Sequence, residues 1–476
     1  MTARPRKAAG VGAAIASGVA KGVQKEEARS PAPSATRSSS RNSAKPRLRR
    51  HFGAVNIGSF RISAMIMGET EEGDLLVLGS GHRMSAGVKR GYITDPRAAT
   101  HAISDAVERA EQNAQMRVDS VWVACSGAGM ESYVFPTEIE IGGRRIEDDD
   151  VDRLLALARA SIQPDGREVL HAQPAHFTLD GAHGVVDPRG LHAERLGVHV
   201  HVTLALGAPL RNLRDAIHNA HLRIDGIVAA PLASAHACLG EEERELGVAL
   251  VEIGGDVTNV SVFAAGMMVG LRSIDMGSGH ITDAISSLLG IRHSHAERLK
   301  CVAGSAIASP SDHRELIPVH GPGDGWEGGG EMALAKGADA SNSITRAELV
   351  SVITQRLEQL SHAIGKALKE LGYTGPSAGQ VVLTGGGAEL AGLAEFMQGA
   401  LACPVRLGRT MPLRALPEAH STPGFATLAG LCLYAADEPA DITSHRPRLQ
   451  EVRSPAGVLG PFAALMRLWR ASREYF

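Results

Sequence analysis

Residues 246–263 read LGVALVEIGGDVTNVSVF, an apolar run that breaks at Gly254-Gly255 and then resumes. Apolar stretches of this length, interrupted by small residues, predict two antiparallel strands joined by a tight turn. The pattern has an earlier counterpart. In Val55-Asn56-Ile57-Gly58-Ser59 a strand again runs through a polar residue, an Ile and a Gly, and Ile62, Ala64 and Ile66 supply the return strand. Two such hairpins facing each other across a cleft would offer backbone N–H groups from both sides, as phosphate oxygens require. Glycine is needed there because a Cβ would block the approach. A third element fits the same cleft: a strand over 381–384, the turn Gly385-Gly386-Gly387, and a helix expected over 388–400. That order places a helix N-terminus and bare backbone beside a nucleotide. The expected fold is α/β, in two halves around a nucleotide cleft, with neither a Walker A loop nor a G-x-G-x-x-G fingerprint.

Outward from these turns, the folded body is expected to begin near His51. Asp95 and Pro96 open a helix over 96–116 whose apolar face is Ala99, Ile103, Ala106, Val107 and Ala110. A strand is expected over 120–125, a helix over 147–162, a strand over 199–206 and a helix over 212–221. Thr345 and Glu348 form a capping box for a long helix ending at Gly372. Residues 321–330 (GPGDGWEGGG) read as a surface loop.

At 476 residues the chain exceeds what one hydrophobic core fills, so more than one domain is expected. The cysteines Cys125, Cys238, Cys301, Cys403 and Cys432 form no C-x-x-C pair, which argues against a zinc site or a disulfide framework. His199 and His201 alternate on a strand and His293 and His295 flank Ser294, but neither pair has a third ligand nearby in sequence. No apolar run is long enough to span a bilayer. No aromatic–basic interleaving suggests nucleic acid. The net charge of −3 hides an asymmetry: residues 1–50 carry twelve Lys/Arg against two Glu, leaving 37 bases against 50 acids elsewhere. This arm, rich in Ser, Pro and Ala, is expected to be disordered, either as a solvated tail or attracted to anionic lipid or an acidic partner.

Several stretches beyond the hairpins resemble the FtsA family. They are SAGVKRGYITD (85–95), EVLHAQPAHFTL (168–179) with DPRG (187–190), APLASAHA (230–237), GSGHITD (277–283) and AERLK (296–300). The resemblance covers about 51–436 in the family's order. It implies an actin-like fold in which one subdomain is replaced by a differently placed one. The implied division is a basic arm (1–50), a first half (51–130 and 207–243, with part of 415–436), and the family's own subdomain (131–206). A second half follows (244–285 and 346–414), with a small subdomain (286–345), a linker (437–460) and a terminal helix (461–476). The implied ligand is ATP with Mg2+. Asn56, Gly58 and Ser59 belong to the first phosphate loop, and Glu252, Gly254, Gly255 and Thr258 to the second. Glu297 and Lys300 fall on the ribose side, and Gly385, Gly386 and Gly387 at the adenosine. No direct metal ligand is implied; the magnesium would be held through water, with Glu252 the side chain on offer.

The loops depart from the family pattern. Asn56 stands for the usual Asp, Phe60 for a Ser/Thr, Arg61 for a Lys, Glu252 for an Asp, Asp256 for the third Gly and Asn259 for a closing Asp. Neutral Asn56 removes a charge that would favour the hydrated cation, and Asp256 adds one near the phosphates, worth roughly 3 kcal/mol of repulsion at ~5 Å. The expectation is weak ATP binding and at most weak ATPase activity.

In the terminal segment, helical spacing puts Phe462, Leu465, Met466, Trp469 and Phe476 on one face, with Arg467 and Arg470 on the other. Such a helix is too short to cross a bilayer but suited to its interface; its alternative is docking on the protein's own body. FtsA proteins likewise end in a linker and an amphipathic helix. The resemblance implies a peripheral adaptor at the cytoplasmic face of the cell membrane, at the division septum. It would bind the C-terminal peptide of the tubulin-like FtsZ, self-associate into filaments, meet other divisome membrane proteins, and hold anionic phospholipid. Two other classes share the cleft pattern: an actin-fold small-molecule kinase and a nucleotide-free scaffold.

Overall fold

The computed structural model describes residues 47–127, 129–319, 343–373, 379–411 and 413–443. The expectations for the arm up to residue 46, the loop at 321–330 and the terminal helix at 461–476 fall outside the described residues.

The body starts slightly before His51, with β1 (Leu48–Ile57). Leu48 already pairs with Thr70, and Arg50 is held by Glu69 and Glu438. β2 (Arg61–Thr70) and β3 (Leu75–Met84) return antiparallel, and the short β4 (Val88–Lys89) and β5 (Tyr92–Ile93) form a hairpin before α1 (Pro96–Ala114). Asp95 caps α1 by accepting from the backbone N–H groups of Arg97 and Ala98, and the apolar stripe read from sequence is its buried face. β6 (Ser120–Cys125) then lies parallel to β1.

The chain next leaves for an insert built of β7 (Glu131–Glu140), α2 (Asp148–Ala160), β8 (Glu168–Leu179), β9 (Ala182–Val185) and β10 (Arg195–Ala205). β10 pairs antiparallel with both β7 and β8, and α2 packs Val151, Leu154 and Ala158 onto that sheet. α3 (Gly207–Asn219), β11 (Arg223–Ala229) and α4 (Ala230–Cys238) complete the first half, and α5 (Glu241–Leu246) leads out of it.

β12 (Val248–Ile253), β13 (Thr258–Ala264) and β14 (Met267–Ile274) open the second half, followed by α6 (Gly279–Leu289) and α7 (His293–Ala303). β15 (Leu316–Pro318) and β16 (Ser343–Thr345) pair antiparallel. Thr345 and Glu348 cap α8 (Arg346–Glu370) reciprocally, as the sequence predicts. β17 (Gln380–Thr384), α9 (Leu393–Leu401) and β18 (Val405–Leu407) close this half, and α10 (Ala426–Asp437) returns to the first. The single helix expected over 388–400 is split. A 3-10 turn spans Gly386–Glu389, and Gly392, at φ 76°, separates it from α9 because an α-helix cannot continue through a left-handed residue.

The duplication read from two short motifs extends to whole sheets. The first half orders its strands β11-β6-β1-β2-β3, and the second β18-β17-β12-β13-β14. In each, the hairpin strand pairs antiparallel with its successor and parallel with the strand on its other side. β12 is buried throughout and faces two cores. Val248 and Leu250 join the first half's cluster, while Ala249, Val251 and Ile253 join the cluster under α8 and α9. That alternation explains why β12 is apolar on both faces except at Glu252. The first half's cluster contains α4 and α10, which cross so closely that a Cβ on Gly430 would sit 1.8 Å from the Ala233 carbonyl oxygen.

The insert touches both halves. β14 meets β7 at Arg272 opposite Glu131, joining the second half's strands and the insert's into one nine-stranded sheet. Glu168 receives Arg214 of the first half at 2.8 Å. The residues just after α10, expected to open a linker, are instead held on the insert. Ile442 is buried in its core and its N–H donates to the Ala172 carbonyl, while Asp441 accepts from the Ala172 N–H and pairs with His171.

Candidate nucleotide cleft

Each glycine hairpin closes in the same way. The Gly58 N–H donates to the Arg61 carbonyl at 3.2 Å, and the Gly254 N–H to the Val257 carbonyl at 2.9 Å. A Cβ would meet those same carbonyl oxygens at 2.9 Å on Gly58 and 2.8 Å on Gly254. The two turns meet: a Cβ on Gly255 would lie 3.3 Å from the Phe60 Cβ and 3.8 Å from that of Ser59. Above them sits the β4–β5 turn. The Arg90 N–H donates to Asp256 Oδ2 at 2.9 Å, the Arg90 guanidinium pairs with Asp275 at 2.8 Å, and the Gly91 N–H donates to Ser59 Oγ at 3.4 Å. Arg90 adopts φ 52°, an uncommon conformation for a non-glycine residue that this set of contacts holds in place.

The remaining expected residues connect to this centre through short links. Ser278 and Gly279 donate backbone N–H groups to the Gly254 and Gly255 carbonyls at 2.9 and 2.7 Å. Lys300 reaches the Ser278 carbonyl at 3.1 Å, Thr282 Oγ1 at 2.8 Å and Glu297 at 2.7 Å, so all three of its ammonium protons have protein acceptors. Burial alone would raise the Glu297 carboxyl, but hydrogen bonds from Lys300 and Thr282 outweigh it and hold the group below its usual value. Gly385 and Gly387 pack against Ile253, where Cβ atoms would come within 2.5 Å of its carbonyl oxygen and 2.4 Å of its Cγ2; Gly386 opens onto free space. Packing on Ile253 therefore requires the missing Cβ at 385 and 387, and of the three glycines Gly386 alone leaves open backbone.

Comparison with known proteins agrees with this geometry. Residues 127–204 match the description "SHS2 domain inserted in FTSA", which is the observed insert, and residues 249–430 match "Cell division protein FtsA". Cell division protein FtsA of Rhizobium meliloti (strain 1021) is 34% identical over 411 residues, covering 84% of this chain and 90% of that protein. The chain belongs to the FtsA family. The FtsA of Agrobacterium fabrum (strain C58 / ATCC 33970) is 33% identical over 425 residues, covering 87% and 91%. Among solved structures, a chain of the PilM-PilN type IV pilus biogenesis complex superposes with a TM-score of 0.53 at 15% identity, covering 81% of this chain and 98% of that one. The fold is actin-like, carrying the insert that marks FtsA.

Two residues expected at the ligand in this FtsA-family chain have other duties. Thr258 is fully buried and its hydroxyl donates to the Met276 carbonyl at 2.7 Å, so it braces the second loop from behind. Glu252, offered by sequence to a hydrated magnesium, is also buried. One carboxylate oxygen accepts from Ser234 at 3.1 Å and from Thr427, and the other from the Asn259 amide at 2.9 Å. Ser234 lies on α4 and Thr427 on α10, both in the first half, and Asn259 also donates to Ser126 there at 3.0 Å. Three protein donors fill most of the acceptor capacity of this buried carboxylate, which disfavours Glu252 as the partner of a hydrated magnesium. An Asp at 259 would set a second carboxylate against Glu252, whereas Asn259 supplies a donor.

The sequence marks Arg61 only as standing for a Lys and gives no sign that it lies 3.9 Å over the Phe425 ring and donates to the Gly424 carbonyl at 3.1 Å, and it does not reveal the role of the Arg90–Gly91 turn. The turn's signal was present in SAGVKRGYITD, where Arg-Gly sits between two short extended segments. Among the described residues no helix is long and apolar enough to cross a membrane.

Proposed function

We propose that this FtsA-family protein is a peripheral membrane adaptor of the division machinery that anchors FtsZ filaments at the septum. It binds adenine nucleotide between its halves, ATP with magnesium only weakly. The phosphates lie over the N–H groups of Ser59 and Gly255, at the tips of the turns that Gly58 and Gly254 close, and the adenosine lies beside Gly385–Gly387. The supporting observation is the meeting of two glycine turns of the same geometry, one from each half, in a chain of this family. Backbone contributed from both sides makes a nucleotide a conformational ligand, since its affinity differs between parted and closed halves. With Asn56 neutral and Glu252 engaged between the halves, the nucleotide biases assembly more than it fuels it.

The attachment reading rests on the sequence of 461–476 and on the family. The terminal helix lies in the interface of an anionic bilayer, self-association multiplies its marginal single-anchor affinity, and the small subdomain near 286–345 takes the FtsZ C-terminal peptide. Co-sedimentation of the purified chain and FtsZ with anionic liposomes tests the whole. Both proteins are expected in the pellet, and a chain lacking 461–476 is expected to leave both in the supernatant. FtsZ recruitment that does not depend on this chain would overturn the adaptor reading, and lipid binding that survives the deletion would move the anchor elsewhere.

A further inference from the structure

We propose that Asp256 makes this cleft selective for nucleoside diphosphates over triphosphates. The inference rests on the nucleotide reading above and deepens it. Asp256 follows Gly254-Gly255 in the second phosphate loop, and its Oδ2 accepts the Arg90 N–H from the opposite half at 2.9 Å. A carboxylate oxygen accepting a backbone N–H across the cleft does what an outer phosphate oxygen would do there. Beside it, the Gly91 N–H is directed to Ser59 Oγ. Two consecutive N–H groups of one turn are therefore already answered by the protein's own acceptors, one from each phosphate loop.

The space agrees with the charge. A Cβ on Gly255 would lie 3.3 Å from the Phe60 Cβ, so the two turns approach closely at the residue just before Asp256. Asp256 has no Lys or Arg partner among the described ion pairs, because the Arg90 guanidinium is turned to Asp275. A third phosphate would meet an uncompensated like charge. It would also lack the carboxylates that help place its cation, since position 56 is Asn and Glu252 is engaged between the halves. A diphosphate is one group shorter and carries less negative charge, so it is repelled less. A like charge a few ångströms away in a partly screened site weakens binding by roughly one to two orders of magnitude.

Fluorescence titration of the full chain with N-methylanthraniloyl ADP and N-methylanthraniloyl ATP, each with magnesium, reads the ratio directly. The wild-type chain is expected to prefer the diphosphate by about tenfold or more. Asp256→Asn keeps the shape and an acceptor for the Arg90 N–H but drops the charge, and is expected to bring the two affinities within a few-fold of each other. Asp256→Gly should go further toward the triphosphate. Equal wild-type affinities, or a ratio unchanged in Asp256→Asn, would sink the proposal while leaving the cleft a nucleotide site. Binding of neither analogue by wild type and variant alike would take down the nucleotide reading itself. The wild-type ratio needs no substitution, so a variant that fails to fold does not protect the idea.

Discussion

The hairpin between β1 and β2 and the hairpin between β12 and β13 share one backbone and use it differently. Both close a turn from a glycine N–H to the carbonyl three residues on, and both start a sheet of the same strand order. Their side chains have diverged. The first loop is neutral at Asn56 and bulky at Phe60; the second carries Glu252 buried against α4 and α10, and Asp256 bonded across to Arg90. Backbone geometry at a tight turn tolerates almost no change, because any added atom meets a carbonyl. Side-chain chemistry on the same frame can be redirected. In this chain, acidic side chains of the second loop hold the two halves together.

The comparison can be broken most severely at Glu252. Glu252→Leu leaves the buried groups of Ser234, Thr427 and Asn259 without their acceptor, and is expected to cost about 3 kcal/mol in urea unfolding. A loss under about 1 kcal/mol would mean that the bonds between the halves contribute little. Asn259→Asp should cost about 2–3 kcal/mol at pH 8, because two buried carboxylates then adjoin. An acid whose pKa is raised by folding binds its proton more tightly in the native state, so this variant's deficit should shrink as the pH falls toward 5. A deficit that does not vary with pH would argue against carboxylate repulsion.

The similarity itself is sharpened by matched substitutions. Gly58→Ala and Gly254→Ala each drive a Cβ into the turn's own carbonyl, at 2.9 and 2.8 Å, and should cost about the same, roughly 1–2 kcal/mol each. Unequal losses in thermal melts would show that the two turns are not mechanically equivalent. The smallest expected effect is at the caps of the crossover helices, Asp95 on α1 and Thr345 on α8, where either change to Ala should cost about 1 kcal/mol.

The legible parts of this fold were those where cause and effect lie close in sequence. Glycine turns, the Asp95 cap, the Thr345–Glu348 box and the buried stripe of α1 are set within a few residues, and each stands where expected. The break at Gly392 within the segment after Gly385–Gly387 was missed because Leu390 and Leu393 keep a helical look while one glycine interrupts the helix. The role of Glu252 was hidden by distance, since one of its donors, Thr427, lies 175 residues away. The docking of Asp441 and Ile442 on the insert joins positions still farther apart, with His171 and Asp441 separated by 270. Polar, turn-like composition there reads as a linker until the receiving strand is known.

The crossing of α4 and α10 fixes the groups that reach across to the second half. At Gly430 the helices approach until only a hydrogen atom fits, and one turn away Thr427 and Ser234 grip Glu252. A joint that tight transmits rotation with little slip. The two hydroxyls that hold Glu252 are therefore carried by one rigid helix pair of the first half.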